Sequence, residues 1–275
     1  MRKITYWLSN DSEENYRDYN SGRKNYGINE IVYEFNQEDF RSDGFDQHSD
    51  FPILFLGCSL TEGCGLPINE IWAYHLHNKI CEMTSKKIPF WSLAKSGTGI
   101  DYAARNLYNF GFQLKPKYIF YLMSGVSRRE FKLHSEDYRS WFPNYSHHFK
   151  KYQQFEMVTE IFSDPNYALY QTEKSLIILD LLGKVLNAKI FVFDLNNMDI
   201  VEDHQKNKLF SKFSNIEYFN NFLKNSVDKI PESIIDRPKF ARDNVHPGAV
   251  WHYNTFYNVW EALKSKLNFN IDKPE

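Results

Sequence analysis

The chain has 275 residues, with 33 Lys and Arg against 35 Asp and Glu, so it carries a formal net charge of −2. That length holds one large domain or two small ones with a substantial core. Near-neutral charge gives no whole-protein field to gather nucleic acid, and three cysteines are too few and odd in number for a disulfide framework.

The N-terminus, MRKITYWLSNDSEEN, has basic residues but no apolar stretch of signal-peptide length. No run approaches the ~18 apolar residues of a membrane span. The expectation is a cytoplasmic protein with no membrane partner, and a protein carried in a virus particle would look the same. Residues 1 to about 50 are polar and charged and read as an N-terminal arm or cap with little core of its own. Within them only INEIVYEFN (28–36) reads as a short strand, and FRSDGFDQHSD (40–50) reads as a loop.

The pattern then changes. FPILFLG (51–57) is a short continuous apolar run, as in a strand buried on both faces. NEIWAYHLHNKICEM (69–83) sets Ile71, Tyr74, His75, Ile80 and Met83 at helical spacing, and puts His75 and His77 on different faces as packing or surface residues. PFWSLA (89–94) is a second strand. IDYAARNLYNFGF (100–112) is a helix with Asp101 in its first turn, a favourable charge there. PKYIFYLM (116–123) is a third strand. An irregular stretch follows, from 124 to about 165, full of aromatics and histidines. NYALYQTEKSLIILDLLGKVLN (166–187) reads as a helix deeply buried over its apolar second half. AKIFVFDL (188–195) and IEYF (216–219) are further strands. A last helix, 248–267, shows Val250, Tyr253, Phe256, Tyr257, Trp260, Leu263 and Leu267 on one broad face. Alternating strands and helices predict an α/β fold, a parallel sheet with helices on both faces, in a single domain from 51 to 275. Chemistry in such sheets gathers at the carboxyl ends of the strands.

Ser59 follows the first buried strand in FLGCSLTEGCG (55–65), two places after Gly57. On a sharp strand-to-helix turn a serine exposes its Oγ, and backbone N–H groups face the same reacting atom. Far along the chain, RDNVHPGAVWHYN (242–254) holds Asp243 and His246 three residues apart, just before Pro247 and Gly248 lead into the last helix. An imidazole accepts a serine proton, and an acid holds its tautomer. Each stretch alone is equally a turn or a cap; the two together point to a nucleophile and its base.

Gly57-Cys58-Ser59-Leu60-Thr61 resembles block I of the SGNH (GDSL-type) hydrolases, with Cys58 in place of the usual Asp. DNVH with Pro247-Gly248 is similar to that family's block V, and SLAKSGTG (92–99), with Gly97, looks like block II. The resemblance covers about residues 51–267. It implies a flavodoxin-like three-layer domain, with Ser59 as nucleophile, His246 as base and Asp243 as orienting acid. The backbone N–H groups of Ser59 and Gly97 would serve the oxyanion.

Block III departs from the family pattern. YLMSGVSRREF (121–131) puts Val126 where the family has an Asn whose side chain donates to the oxyanion. Ser124, Ser127 and Arg128 are the candidate replacements. Arg128 would serve the oxyanion or grip an anionic group on the substrate, or else form a solvated pair with Arg129. The insertion at 124–165 should lie over the site as a lid or substrate wall, with Trp141 and Tyr145 as substrate-binding candidates. His134, His147 and His148 stand near Glu136 and Asp137, but their spacing matches no standard metal site. No metal and no organic cofactor is expected. The expected activity is hydrolysis of a small-molecule or carbohydrate carboxylic ester through an acyl-enzyme, acetyl esters being common among the family's substrates. An acyltransferase using the same triad, and a weak or inactive binding or structural module on the same fold, are the alternatives.

Overall fold

A computed structural model describes residues 2–5, 11–19, 26–132, 138–141, 161, 164–195, 201–220, 222–223 and 230–267. In chain order come β1 (Arg2–Ile4), α1 (Glu13–Tyr19), β2 (Tyr33–Phe35), β3 (Ile53–Gly57) and α2 (Ser59–Glu62). After a 3₁₀ turn at Ile68–Glu70 follow α3 (Trp72–Thr84), β4 (Trp91–Ser92), α4 (Ile100–Leu114) and β5 (Tyr118–Met123). Then come β6 (Arg129–Lys132), β7 (Tyr138–Trp141), α5 (Pro165–Leu186), β8 (Lys189–Asp194), α6 (Asp203–Phe210) and β9 (Ile216–Phe219). The last are α7 (Glu232–Ile235) and α8 (Ala249–Leu263). These elements form two compact units. One comprises residues 52–59 and 93–221, the other residues 1–51, 60–92 and 222–275.

The first unit is built on a parallel sheet in which β3, β5, β8 and β9 lie side by side. The segment that continues β4 runs along the outer edge of β3: Leu93 N–H donates to Phe55 O at 2.9 Å and Lys95 N–H to Gly57 O at 3.3 Å. Every residue of β3 and β5 is buried, which is why both read as unbroken apolar runs. Aromatic rings meet across these strands. Phe120 stacks on Phe191 at 5.8 Å and Phe193 on Phe219 at 4.9 Å, cross-strand pairs of the kind that pin a sheet's register.

α5 starts on Asp164, whose carboxylate accepts the Asn166 N–H, with a proline in the first turn, and ends on left-handed Asn187. Its second half is not deeply buried as expected. Leu176, Leu179 and Leu182 face inward, but Ile177, Ile178, Leu181 and Val185 are 45–69% exposed. A helix lying on a sheet buries one stripe at three- and four-residue spacing, so an apolar run cannot all face inward. α4 packs beside it. A Cβ at Gly111 would stand 2.9 Å from Leu186 Cδ1, so the glycine sets how closely the two helices approach.

The stretch at 124–165, expected to be irregular, contains an antiparallel pair, β6 with β7. Arg105 of α4 grips the Glu130 carboxylate with two hydrogen bonds, at 2.8 and 2.6 Å, and Asp101 accepts the Glu130 N–H. Asp101 thus anchors β6 as well as favouring the start of α4.

In the second unit, the first fifty residues do more than cap. Tyr26, Ile31, Tyr33, Phe35, Phe40 and Phe45 are buried, and β1 pairs with β2. The helix faces also differ from the expected ones. α3 buries Trp72, Ala73, Leu76, His77, Ile80 and Thr84, and leaves Met83 exposed. α8 buries Ala249, His252, Thr255, Asn258, Val259 and Leu263, while Val250, Tyr253, Phe256, Tyr257 and Trp260 are only half-buried. Small and polar residues face inward because the helices pack closely there: Trp72 N–H donates to His252 Nδ1 at 3.2 Å. The larger rings cover the flank, where Tyr253 and Phe256 meet the His75 ring at 5.4 and 5.6 Å. His77 is a packing residue whose Nε2 bonds to Ile88 O at 2.7 Å.

Lys206 is fully buried and pairs with Asp194 at 2.7 Å, and the same carboxylate accepts the Tyr218 hydroxyl at 2.5 Å. Lys206→Met leaves that carboxylate without its cation. The expected loss is about 3–5 kcal/mol of unfolding free energy, measured by urea denaturation. The double variant Lys206→Met, Asp194→Asn should recover part of it.

Candidate functional site

β3 delivers Ser59 to the carboxyl end of the sheet, where it is the first residue of α2 and is buried. Its Oγ lies 4.0 Å from Cys58 Sγ. The neighbouring strand ends are tied together by side chains. The Thr98 hydroxyl donates to Lys95 O at 2.6 Å and lies 3.3 Å from Gly57 O, and the Ser124 hydroxyl donates to Thr98 O at 3.1 Å. These bonds hold the end of β3, the loop carrying Gly97 and the end of β5 in one place. Gly97 has φ of +78°, a left-handed conformation that favours glycine.

Ser124 is therefore committed to holding this loop. Val126 is buried, and its carbonyl accepts the Thr172 hydroxyl at 3.3 Å; its side chain has no donor. Ser127 is buried and Arg128 partly so. The Arg128 backbone crosses the start of α4 so closely that a Cβ at Gly99 would stand 2.5 Å from Arg128 O. Arg129 is no solvated partner. It is buried and donates to Arg128 O, to Ala168 O and to Thr172 Oγ1. The Trp141 backbone pairs with Arg129 in the β6–β7 register. Tyr145, His134, His147 and His148 lie outside the described residues.

Asp243 and His246 belong to the other unit, in a loop closed on itself. Ala241 N–H donates to His246 O, Asn244 N–H to Ala241 O and Gly248 N–H to Lys239 O, each at 2.9 Å. Here the structure does bring the expected pair together. Asp243 Oδ1 accepts the N–H groups of Val245 and His246 at 3.0 Å each, and Oδ2 bonds to His246 Nδ1 at 2.5 Å. Burial works against the charged Asp243 carboxylate, yet the bonds from His246 and the two amides outweigh it and hold its pKa below the usual range.

Four supports of this loop carry no motif in the sequence. Gly65, at φ +73°, lies against it: a Cβ there would stand 2.9 Å from Ala241 Cβ and 3.2 Å from Asp243 N. Arg242 is fully buried and donates to both oxygens of Asp11 at 2.8 Å. The Tyr33 hydroxyl donates to Asp11 and accepts the Gly65 N–H at 2.7 Å. Cys64 brings its thiol to 3.7 Å from Asp243 Oδ2. The only hint of these supports in the sequence is the glycine pair that flanks Cys64.

No protein-family model and no curated protein matches this sequence. Solved structures do. TesA aligns with a TM-score of 0.48 at 14% identity, over 78% of this chain and 99% of its own. A variant of Axe2, an acetyl-xylooligosaccharide esterase from Geobacillus, gives 0.47 at 14%, over 81% and 97%. A GDSL-like lipase from Bacteroides thetaiotaomicron gives 0.41 at 13%, over 78% and 88%. Esterases and GDSL-like lipases are what this chain is similar to. Among the described residues no helix is long and apolar enough to cross a membrane.

Gly65→Ala places a Cβ in a left-handed position and against the backbone before Asp243. A loss of at least about 1–2 kcal/mol is expected, measured by urea denaturation. A pH effect arises at His252. Burial, and then the charges of His246 and His75, push its pKa down to about 3. The unfolded histidine, near 6.5, takes up a proton that the folded chain refuses. Stability therefore falls as pH drops from about 6.5, at about 1.4 kcal/mol per pH unit for this residue. His252→Asn keeps an acceptor for the Trp72 N–H and removes the titration. Melting curves between about pH 6.5 and 4.5 should show a shallower decline for the variant than for the wild type.

Proposed function

We propose that this chain is a serine hydrolase of carboxylic esters, with Ser59 as nucleophile, His246 as base and Asp243 as orienting acid. The observation that carries the reading is the Asp243 carboxylate, gripped by two backbone amides and bonded to His246 Nδ1 at 2.5 Å. That arrangement fixes the imidazole tautomer and stabilises the imidazolium a serine base must become. Ser59, at a strand end followed at once by a helical turn, has the setting of a serine nucleophile.

In this mechanism Ser59 Oγ attacks the acyl carbonyl as its proton passes to His246 Nε2. The N–H groups of Ser59 and Gly97 stabilise the oxyanion. The imidazolium returns the proton to the leaving alkoxide, and an acyl group remains on Ser59. Water, losing a proton to Nε2, attacks that ester, and collapse releases the acid and restores the serine. With Val126 lacking a donor, Ser127 or Arg128 supplies the third one. The substrate is an ester of a small molecule or carbohydrate, with a short acyl group such as acetyl. An alcohol that replaces water would make the same site an acyltransferase. Val126 favours one competing reading, a binding module on this fold with little turnover.

Labelling with a fluorophosphonate probe, read by peptide mass, tests the nucleophile without knowledge of the substrate. A single adduct on Ser59 is expected, absent in Ser59→Ala and lost or slowed by on the order of 10⁶-fold in His246→Ala. No adduct under conditions that label a control hydrolase would sink the enzyme reading in favour of the module. The double variant Ser127→Ala, Arg128→Ala is expected to slow ester turnover by about 10²–10³-fold. Unchanged turnover would remove both residues from the oxyanion site.

A further inference from the structure

Cys64 plays no part in the ester mechanism, yet its sulfur stands against the acid of the proposed triad. Its Sγ is 3.7 Å from Asp243 Oδ2. Cys64, Asp243 and His246 each offer one ligand atom, and the three atoms lie within 4.8 Å of one another. Thiolate, carboxylate and imidazole are the ligand types Zn²⁺ takes, at about 2.3 Å from sulfur and about 2.0–2.2 Å from nitrogen and oxygen. In a tetrahedron those lengths put sulfur and oxygen about 3.5 Å apart and nitrogen and oxygen about 3.3 Å apart. The first edge is nearly present. The second requires the 2.5 Å bond between Oδ2 and Nδ1 to open. The imidazole has to shift for that, and the His246 side chain is 14% exposed rather than sealed in.

The surroundings suit an ion. Asp243 Oδ1 keeps its two backbone N–H donors whatever Oδ2 binds, and this outer shell orients the ligand. Gly65, the residue after Cys64, packs against the backbone of Arg242 and Asp243 and accepts the Arg242 N–H at 2.8 Å, which keeps the two ligands side by side. Burial, and then the negative charges of Asp243, Glu62 and Asp11, push the Cys64 thiol up, with Arg41 opposing, so the proton leaves only in exchange for a cation that those same charges attract.

We infer that Cys64, Asp243 and His246 form a binding site for a thiophilic divalent cation of the Zn²⁺ class. One thiolate and one carboxylate balance its two charges. On binding, the thiol proton leaves to solvent. The imidazole stays neutral: its proton moves from Nδ1 to Nε2 as the Nδ1 lone pair takes the metal. A protonated Nε2 accepts nothing, so the ion switches off the base. That consequence rests on the proposed ester mechanism; the binding itself does not.

The test titrates the full, metal-stripped chain with Co²⁺ and then Zn²⁺. One equivalent of Co²⁺ should give the near-ultraviolet charge-transfer band of a thiolate ligand, and Zn²⁺ should abolish it. Cys81→Ser should keep the band, and Cys64→Ser should lose it. Zn²⁺ affinity, read by competition with a chromogenic chelator, should fall by more than about 100-fold in Cys64→Ser, beyond what loss of an outer-shell partner costs. In the wild type, Zn²⁺ should also shield Cys64 from maleimide, read by peptide mass, a measurement that stands even where the variant fails to fold. A band that follows Cys81 and its His77 neighbour, equal affinity in Cys64→Ser, or no binding and no shielding in the wild type would overturn the site. Zn²⁺ should block fluorophosphonate labelling of Ser59 in the wild type but not in Cys64→Ser. A chain that never labels but still binds through Cys64 would defeat the hydrolase reading alone.

Discussion

A carboxylate taken out of water costs several kcal/mol unless its lone pairs are met, and Asp243 is buried. Its environment is arranged around that cost. Two backbone amides, one imidazole and one thiol converge on its two oxygens. The amides come from the same tight loop, so the loop conformation and the charge sustain each other. Asn244 sits at φ +55°, a left-handed position Asn tolerates better than most residues, and this lets Val245 and His246 turn their N–H groups back onto Asp243. Behind the loop, Arg242 and Asp11 form a fully buried ion pair that Tyr33 extends to the Gly65 amide. The N-terminal residues are thus structural support for the loop that holds Asp243 and His246.

The same economy operates at the strand ends of the sheet-bearing unit. A parallel sheet leaves loops at its carboxyl edge, and loops need fixing before they can hold donors in place. Thr98 and Ser124 fix them with hydroxyls that bond to backbone carbonyls. Arg129 does so on a larger scale, closing the turn after β5 onto α5. These are neutral or charge-assisted bonds in a buried setting, where each unmade bond would be expensive. The Ser127–Arg128 segment inherits its position from them.

Much of this was legible in the sequence because it depends on neighbours in the chain. Continuous apolar runs marked β3, β5 and β8, and the spacing of Asp243 to His246 is a local property of one loop. Ser59 at a strand end follows from where the apolar run stops. The helices were recognisable too, but not their inward faces. Periodicity counts hydrophobic residues, whereas α8 buries Ala249, His252, Thr255 and Asn258, and His252 accepts the Trp72 N–H at the start of α3.

What the sequence by itself determined was the order of elements and the chemical types at the turns: serine, glycine, aspartate, histidine. Only the tertiary structure decided which distant groups meet. Cys64 and Asp243 are 179 residues apart, and Asp11 and Arg242 are 231 apart. No local pattern encodes such pairs, because the chain's own geometry constrains neighbours only over a few residues. The rest is set by which buried charges can find partners once water has been excluded.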